Sequence, residues 1–377
     1  MKAERIQAVT VKLLSIPLSR DFRGSVYSVT EKMALVTTIT LYDGSVGVSV
    51  NGEGDAETFR AVFDIITNRM TPAVIGESPF SIGQLWTKCW RLTDTHWTPS
   101  QRVASVRAVA CLDCALWDLL GKRAGLPLAR LWGSHRDHLP ILAIAGQYVE
   151  GFSASEYVHE IEELVDLQIG GCKFKVGGLN PEKDAERVRA VRKATGDDFI
   201  ICVDANRGWS RSEALQFIRL TDNLDIRWFE EPCYWENDCE DMSWLRRKSD
   251  LPIAAGQSEY TVPACMRLLD AGAVDVCNLD ASWGGGATPW LKVAAAAEIR
   301  GVEMAHHGEP LLGSQLLCAV SNGTYVETHH PLRDPLFHGG MHQRGSIRAG
   351  KYFLSELPGW GFELDLEFIA RHTVASS

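Results

Sequence analysis

Apolar and polar positions along the first 50 residues predict strands at 6–16, 33–41 and 46–50, with a turn at Asp43-Gly44 before the last. This is the pattern of an antiparallel meander. The rhythm then lengthens: residues 56–70 and 99–124 carry apolar side chains at helical spacing, and Gly125-Leu126-Pro127 stops the second helix. Together these segments predict an α+β module over residues 1–130.

From about residue 139 the grammar changes. Short β-rich runs at 141–144, 172–176, 199–203, 226–229, 252–255, 274–279, 302–305 and 325–327 alternate with amphipathic segments near 153–168, 181–195, 211–222, 238–249, 261–271, 287–299 and 311–321. Eight strands with seven intervening helices predict a parallel barrel over residues 131–340. A doubly wound open sheet is the competing arrangement, but no Gly-x-Gly-x-x-Gly follows a strand, which weakens a dinucleotide reading. After residue 340 the chain is Gly-rich and aromatic, and 341–377 is expected to pack back on the first domain.

The 377 residues are 45% hydrophobic and 23% charged, which excludes disorder, collagen and coiled coil. No run of 18 or more uncharged apolar residues occurs, and the N-terminus lacks an apolar signal-peptide region, so a cytoplasmic location is expected. Lys and Arg total 38 against 48 for Asp and Glu, and a net charge of −10 argues against nucleic acid or an anionic membrane as partner. The ten cysteines are scattered through apolar stretches and read as reduced core residues. The one Cys-x-x-Cys, Cys111 to Cys114, lies in an apolar helical pattern with no second pair nearby, so core packing is the better reading than zinc or redox chemistry.

In a parallel barrel the catalytic groups stand at the C-terminal strand ends, where the loops converge. The second strand delivers Lys173 and Lys175, the third Asp204 and Asn206, the fourth Glu230 and Glu231, and the fifth Gln257 and Glu259. The sixth ends at Asp280, the seventh at His306-His307 and the eighth at Glu327. One Asp after a strand is ordinarily a cap and one His a packing residue. Independent caps would not supply two lysines, several carboxylates and a histidine on one rim. Asp204, Glu230 and a third oxygen donor form a hard site suited to Mg²⁺ and unsuited to zinc. Lys173 and Lys175 share a strand face, and mutual repulsion is expected to lower one pKa toward neutrality, making a base. Asp280 is placed to orient His307 or His306. A lysine base, a histidine base and a metal suit α-proton abstraction from a metal-chelated carboxylate through an enediolate, with Glu327 reaching the other carboxylate oxygen.

These residues in this order resemble the enolase superfamily, specifically its mandelate racemase subgroup. The marks are Lys173-Phe174-Lys175, Asp204-Ala205-Asn206, Phe229-Glu230-Glu231-Pro232, Asp280 followed by Gly284-Gly285, and the histidine after the seventh strand. The resemblance covers nearly the whole chain and implies an α/β fold: a modified (β/α)7β TIM-like barrel with an N-terminal α+β capping domain. It further implies Mg²⁺ on Asp204 and Glu230, Lys175 as base tuned by Lys173, and His307 rather than His306 as the second acid/base with Asp280 as its dyad partner. Glu327 is implied as electrophilic helper. The sixth-strand lysine of the muconate-lactonizing subgroup is absent, with Leu279-Asp280 in its place. One position departs from the pattern: where the third ligand is usually the Glu of a Gly-Glu pair, this chain reads Gly256-Gln257-Ser258-Glu259. Gln257 is favoured by position and Glu259 by charge.

The resemblance also implies a small hydroxy acid, most often a sugar acid, bound beneath cap loops, and a homo-oligomer. Segments 19–28 and 51–57 are the candidate lids. Arg23, Tyr27, Trp283, Asn206 and His306 are the candidate substrate contacts. Dehydration to a 2-keto-3-deoxy acid is the preferred outcome. Racemisation, epimerisation and cycloisomerisation use the same bases, and a non-catalytic sugar-acid or metal binding protein with a degenerate third ligand is the rival.

Overall fold

The computed structural model describes residues 2–52, 54–94 and 98–377. Strands β1 (Ile6–Arg23), β2 (Ser28–Leu41) and β3 (Val46–Gly52) form the antiparallel meander, with Val36 opposite both Lys12 and Val50. The first two run further than their apolar patterns. Residues 19–28, expected as a lid loop, are the tip of the β1–β2 hairpin, closed by a Gly24 N–H to Tyr27 carbonyl bond of 3.0 Å. A register irregularity between Pro17 and Phe22 returns Phe22 to the buried side, so polar neighbours do not end the strand.

Cap helices follow at Ala56–Ile65, Thr71–Val74, Ile82–Arg91 and Pro99–Ala124. The last begins with a reciprocal Thr98–Gln101 capping box and ends at Gly125 in the left-handed region. It is apolar on more than one face because it is covered twice. On one side Ser49 Oγ donates to the Cys111 carbonyl at 2.8 Å; on the other Asp113 accepts from Thr288 N and Oγ1 at 2.9 and 2.7 Å. Cys111 and Cys114 lie in this packed helix, and burial pushes the Cys111 thiol up to about 12, which removes the thiolate that metal or redox chemistry needs. All ten cysteines are free.

The barrel strands are β4 (His138–Ala145), β5 (Gly171–Lys175), β6 (Ile200–Asp204), β7 (Ile226–Glu230), β8 (Ile253–Ala255), β9 (Val276–Cys277), β10 (Glu303–Met304) and β11 (Val326–His329). They pair in parallel and in chain order from β4 to β10, and β11 closes on β4 with Val326 opposite Ile141. Met304 completes the ring by bonding Asn322 and Thr324 just before β11. Seven helices intervene, from Ala154–Asp166 to Pro310–Ala319.

Strand parity sorts the side chains. Leu142, Cys202, Trp228, Ala254, Val276 and Ala305 form one buried cluster inside the barrel. Phe174, Val203, Phe229, Ala255 and Cys277 belong to the larger cluster between strands and helices. Beyond the barrel, residues Lys351–Phe353 pair with the start of β4, and Thr373–Ser376 pairs with β1. No described helix is long and apolar enough to cross a membrane.

Candidate active site

Inward parity, continued to the C-terminal strand ends, assembles the site. Lys173 and Lys175 flank the outward Phe174; Asp204 follows Cys202 by two, Glu230 follows Trp228 by two and His307 follows Ala305 by two. Lys173, Asp204, Glu230 and Asp280 are fully buried, which few charged groups are without partners. The partners are one another. Lys173 Nζ donates to Glu230 Oε1 at 2.8 Å and Glu327 Oε2 at 2.9 Å; Lys175 Nζ donates to Asp204 Oδ2 at 2.6 Å and Asn206 Oδ1 at 2.9 Å.

This geometry corrects the expected lysine electrostatics. Burial works to lower both lysine pKa values, but Glu230, Glu327 and Asp204 around Lys173, and chiefly Asp204 beside Lys175, raise both above the ordinary lysine range. The repulsion between the two ammoniums is real but smaller than the carboxylates' attraction. Three carboxyl groups face two ammoniums, and burial with the charges of Asp204 and Glu327 leaves Glu230 raised well above the usual carboxylate range. Asp204 is lowered: burial opposes ionisation, and Lys175 and Lys173 overcome it.

The donor chemistry fits a hard cation. Asp204 and Glu230 are register partners on β6 and β7, and Glu230 Oε2, Gln257 Oε1 and Glu327 Oε1 are buried oxygens without a hydrogen-bond partner. Among the described residues no group of three or more His, Cys, Asp or Glu side chains is arranged around a metal position; one oxygen each of Asp204 and Glu230 is engaged by a lysine.

After the fifth strand the backbone separates Gln257 from Glu259 in space. Gly256 has φ +144°, and a Cβ there would stand 3.0 Å from the Asn278 and Leu279 nitrogens. The chain turns at once, with Glu259 N–H on the Gly256 carbonyl at 3.0 Å. Glu259 would share Gln257's direction only on an extended chain; here it is partly buried in the field of Asp238, Arg267 and Glu231, and its carboxyl is raised by burial and then Asp238. Gln257 is buried against Glu231, with Nε2 donating to Glu231 Oε2 at 2.9 Å.

Parity also separates the two histidines. His307 Nδ1 meets Asp280 Oδ2 at 3.1 Å, and Asp280 Oδ1 accepts Ser282 N and Oγ, each at 2.7 Å. Burial opposes the Asp280 charge, but His307, His306 and Ser282 hold its pKa below the usual range. With Nδ1 engaged, Nε2 is the His307 nitrogen available for proton transfer. His306, expected as a substrate contact, points outward: Nε2 accepts the Ala281 N–H at 3.0 Å, Nδ1 donates to the His307 carbonyl at 3.0 Å, and burial lowers its pKa. Both nitrogens are consumed by backbone.

A cavity of about 470 Å³ lies over these groups, lined by Lys175, Asn206, Gln257, Trp283 and His307 from the barrel and by Tyr27 from the hairpin tip. That volume suits a small ligand. The Lys175 ammonium stands 5.6 Å from the Tyr27 ring, and Trp283 packs 4.9 Å from His307. Arg23, also expected there, lines a different cavity with Tyr148 and Lys183. Of segment 51–57, Gly54, Asp55 and Ala56 line the main cavity, and Glu53 lies outside the described residues.

Lys32, Arg107, His329 and Arg333 are among the lining residues that escaped the sequence reading. Arg107 carried a signal, since it is a lone cation within an apolar helical run, whereas Lys32 follows Thr30 and Glu31 at the edge of one; both are buried. His329 follows Glu327 by two on β11 and shares its face.

Residues 8–133 match the N-terminal domain of mandelate racemase/muconate lactonizing enzyme, and residues 156–368 match the enolase C-terminal domain-like family. The L-talarate/galactarate dehydratase of Salmonella typhimurium is 30% identical over 372 residues, covering 96% of this chain and 89% of that protein. Among solved structures, a mandelate racemase/muconate lactonizing enzyme from a marine actinobacterium in complex with magnesium superposes with a TM-score of 0.92 at 36% identity, covering 98% and 99% of the two chains. The L-talarate dehydratase of Polaromonas sp. JS666, complexed with Mg and L-glucarate, gives 0.87 at 30%, covering 99% and 98%.

Proposed function

The chain belongs to the mandelate racemase/muconate lactonizing enzyme family, and from that premise we propose that it removes the α-proton of a 2-hydroxy carboxylate in a Mg²⁺-dependent reaction, dehydrating an acid sugar to a 2-keto-3-deoxy acid. The observation that carries the reading is the pairing of Lys175 and the His307–Asp280 dyad around one cavity, on strands three steps apart round the barrel. Asp204, Glu230 and Gln257 would hold Mg²⁺, which would supply charge stabilisation at the substrate carboxylate and offset the carboxylate charge that raises the lysines. Lys173 and Glu327 flank the same carboxylate position.

Lys175 Nζ or His307 Nε2 takes the α-proton, according to the configuration of that carbon. The C–H electron pair passes first into the substrate carboxylate, giving an enediolate, and then forms the bond between the α- and β-carbons as the β-carbon–oxygen bond breaks. The departing hydroxyl takes a proton from His307 and leaves as water. The enol then gains a proton at the former β-carbon as its hydroxyl loses one, giving the keto acid. Tyr27 and Trp283 close the cavity over the substrate and limit water.

Racemisation or epimerisation is the second reading, favoured by the same two bases without a leaving group. The neutral Gln257 favours a third, a binding protein that retains the fold. The same proposal includes a cytoplasmic homo-oligomer with neither nucleic acid nor membrane as partner, and a division at residues 130 and 340. The test is a panel of mono- and dicarboxylic acid sugars with Mg²⁺, keto acid being trapped with semicarbazide. Keto acid supports dehydration, and inverted substrate without keto acid supports racemisation. Thermal stabilisation by a sugar acid without turnover supports the binding protein. No reaction and no stabilisation across the panel refutes all three.

A further inference from the structure

The amide at position 257 is held by a carboxylate that the α-proton chemistry does not use. Glu231 follows Glu230 at the end of β7, is buried, and has φ +40°, a left-handed conformation that turns its side chain away from the strand parity and toward the fifth strand. Its two oxygens are both acceptors: Oε1 takes Ser258 Oγ at 2.5 Å, and Oε2 takes Gln257 Nε2 at 2.9 Å with Arg207 Nε at 3.6 Å. A carboxylate has no proton to give an amide oxygen, so this contact fixes which end of Gln257 faces Glu231. The other end, Oε1, is left buried without a partner, as is Glu230 Oε2 on the neighbouring strand. The backbone is pinned as well, with Gln257 N–H on Asn278 Oδ1 at 3.1 Å.

We infer that Glu231 is a positioning residue which orients the Gln257 oxygen toward the cation, and that the site's third negative charge sits on Glu231, one hydrogen bond behind the ligand. The inference rests on the metal site of the preceding section. It explains how a neutral ligand serves where a carboxylate is expected: the charge is not deleted but displaced, and the hydrogen bond from Nε2 polarises the amide so that Oε1 is the more negative. It also makes Gln257 and Glu231 a unit. A carboxylate placed at 257 would stand within hydrogen-bond distance of Glu231 with no proton between them, and the two would repel. An amide at 231 would donate to it instead, while still accepting Ser258 Oγ on its oxygen.

The test is Mg²⁺ binding alone, by calorimetry, on the full chain and on Glu231→Gln, Gln257→Glu and the exchange of both. Melting temperatures in EDTA establish that each variant folds. The account expects Glu231→Gln to weaken Mg²⁺ roughly 10–100-fold, the usual cost of losing a partner behind a ligand. It expects Gln257→Glu alone to gain no more than a few-fold, and the exchanged pair to bind at least as tightly as the parent. Glu231→Gln within threefold of the parent overturns the inference, as does a tenfold gain from Gln257→Glu alone that the exchange does not exceed. Failure of the unaltered protein to bind Mg²⁺ overturns the metal site and the inference with it, so the two failures are distinguishable.

Discussion

Replacing Asp280 with Asn changes one atom and, by the geometry around it, the tautomer of His307. Asp280 Oδ1 accepts two donors from Ser282, one a backbone N–H that cannot reverse its polarity. In Asp280→Asn the amide oxygen must occupy that position, which turns the NH₂ toward His307 Nδ1, 3.1 Å away. Neutral His307 must then accept at Nδ1 and carry its proton on Nε2, the wrong state for a base facing the cavity. The loss of a charge-assisted hydrogen bond to the imidazolium is worth about 1.5–3 kcal/mol, roughly ten- to a hundredfold in rate. Inverted tautomers in the Ser-His-Asp template cost up to about 10⁴. The expected outcome is a fall of roughly 10²–10⁴ in the His307-dependent step, with exchange on the Lys175 side retained. Nitrogen-15 NMR of histidine-labelled protein reads the tautomer directly, and keto-acid formation reads the rate. An Asp280→Asn protein that melts like the parent, keeps the proton on Nδ1 and turns over within threefold of it would refute the reasoning.

Three further predictions follow from other parts of the fold. Burial pushes the Asp113 carboxyl up to about 7 against its Thr288 hydrogen bonds, whereas its ordinary value is 3.8. The folded chain therefore holds an extra proton between those values, and stability falls as pH rises through that window and levels above it. Asp113→Asn should improve the relative stability by about 2–3 kcal/mol more at pH 8 than at pH 5, measured by urea titration; an equal effect at both pH values contradicts this. Trp228 fills the barrel interior at 0% exposure, so Trp228→Ala should cost about 3–5 kcal/mol, and a loss under about 1 kcal/mol in the same titration would mean that the layer is not packed as described. Mg²⁺ at a hundred times its dissociation constant should stabilise the parent by about 2.7 kcal/mol and leave Asp204→Asn unmoved in thermal melts; equal stabilisation of both would place the ion elsewhere.

The barrel was legible because each strand and helix announces itself by a change of period, and parity at a strand end follows once the strand is found. That logic located Lys173, Lys175, Asp204, Glu230 and Asp280, and it separates His307 from His306 through Ala305. It failed where the backbone leaves the strand. Gly256 turns the chain before Gln257, so Glu259 does not share Gln257's direction as it would on an extended chain. The lysine electrostatics failed for another reason: two adjacent cations are visible in sequence, but the three carboxylates that outweigh them come from β6, β7 and β11. The cap's share of the cavity was the least readable. Arg107 looks like a defect in an apolar run and Lys32 like the polar edge of a strand until the cap is docked on the barrel, and Arg23 was placed in a loop that is a strand.

The central claim is that Lys175 and His307 exchange the α-proton of a hydroxy acid in this cavity. Incubating the protein with Mg²⁺ and the acid-sugar panel in D₂O, with mass spectrometry of substrate and product, tests it most directly beside Lys175→Met and His307→Asn. The account predicts keto acid or α-deuterated substrate from the parent, loss of one stereochemical course of exchange in each single variant, and loss of both in the double variant. Exchange that continues unchanged in the double variant would contradict it.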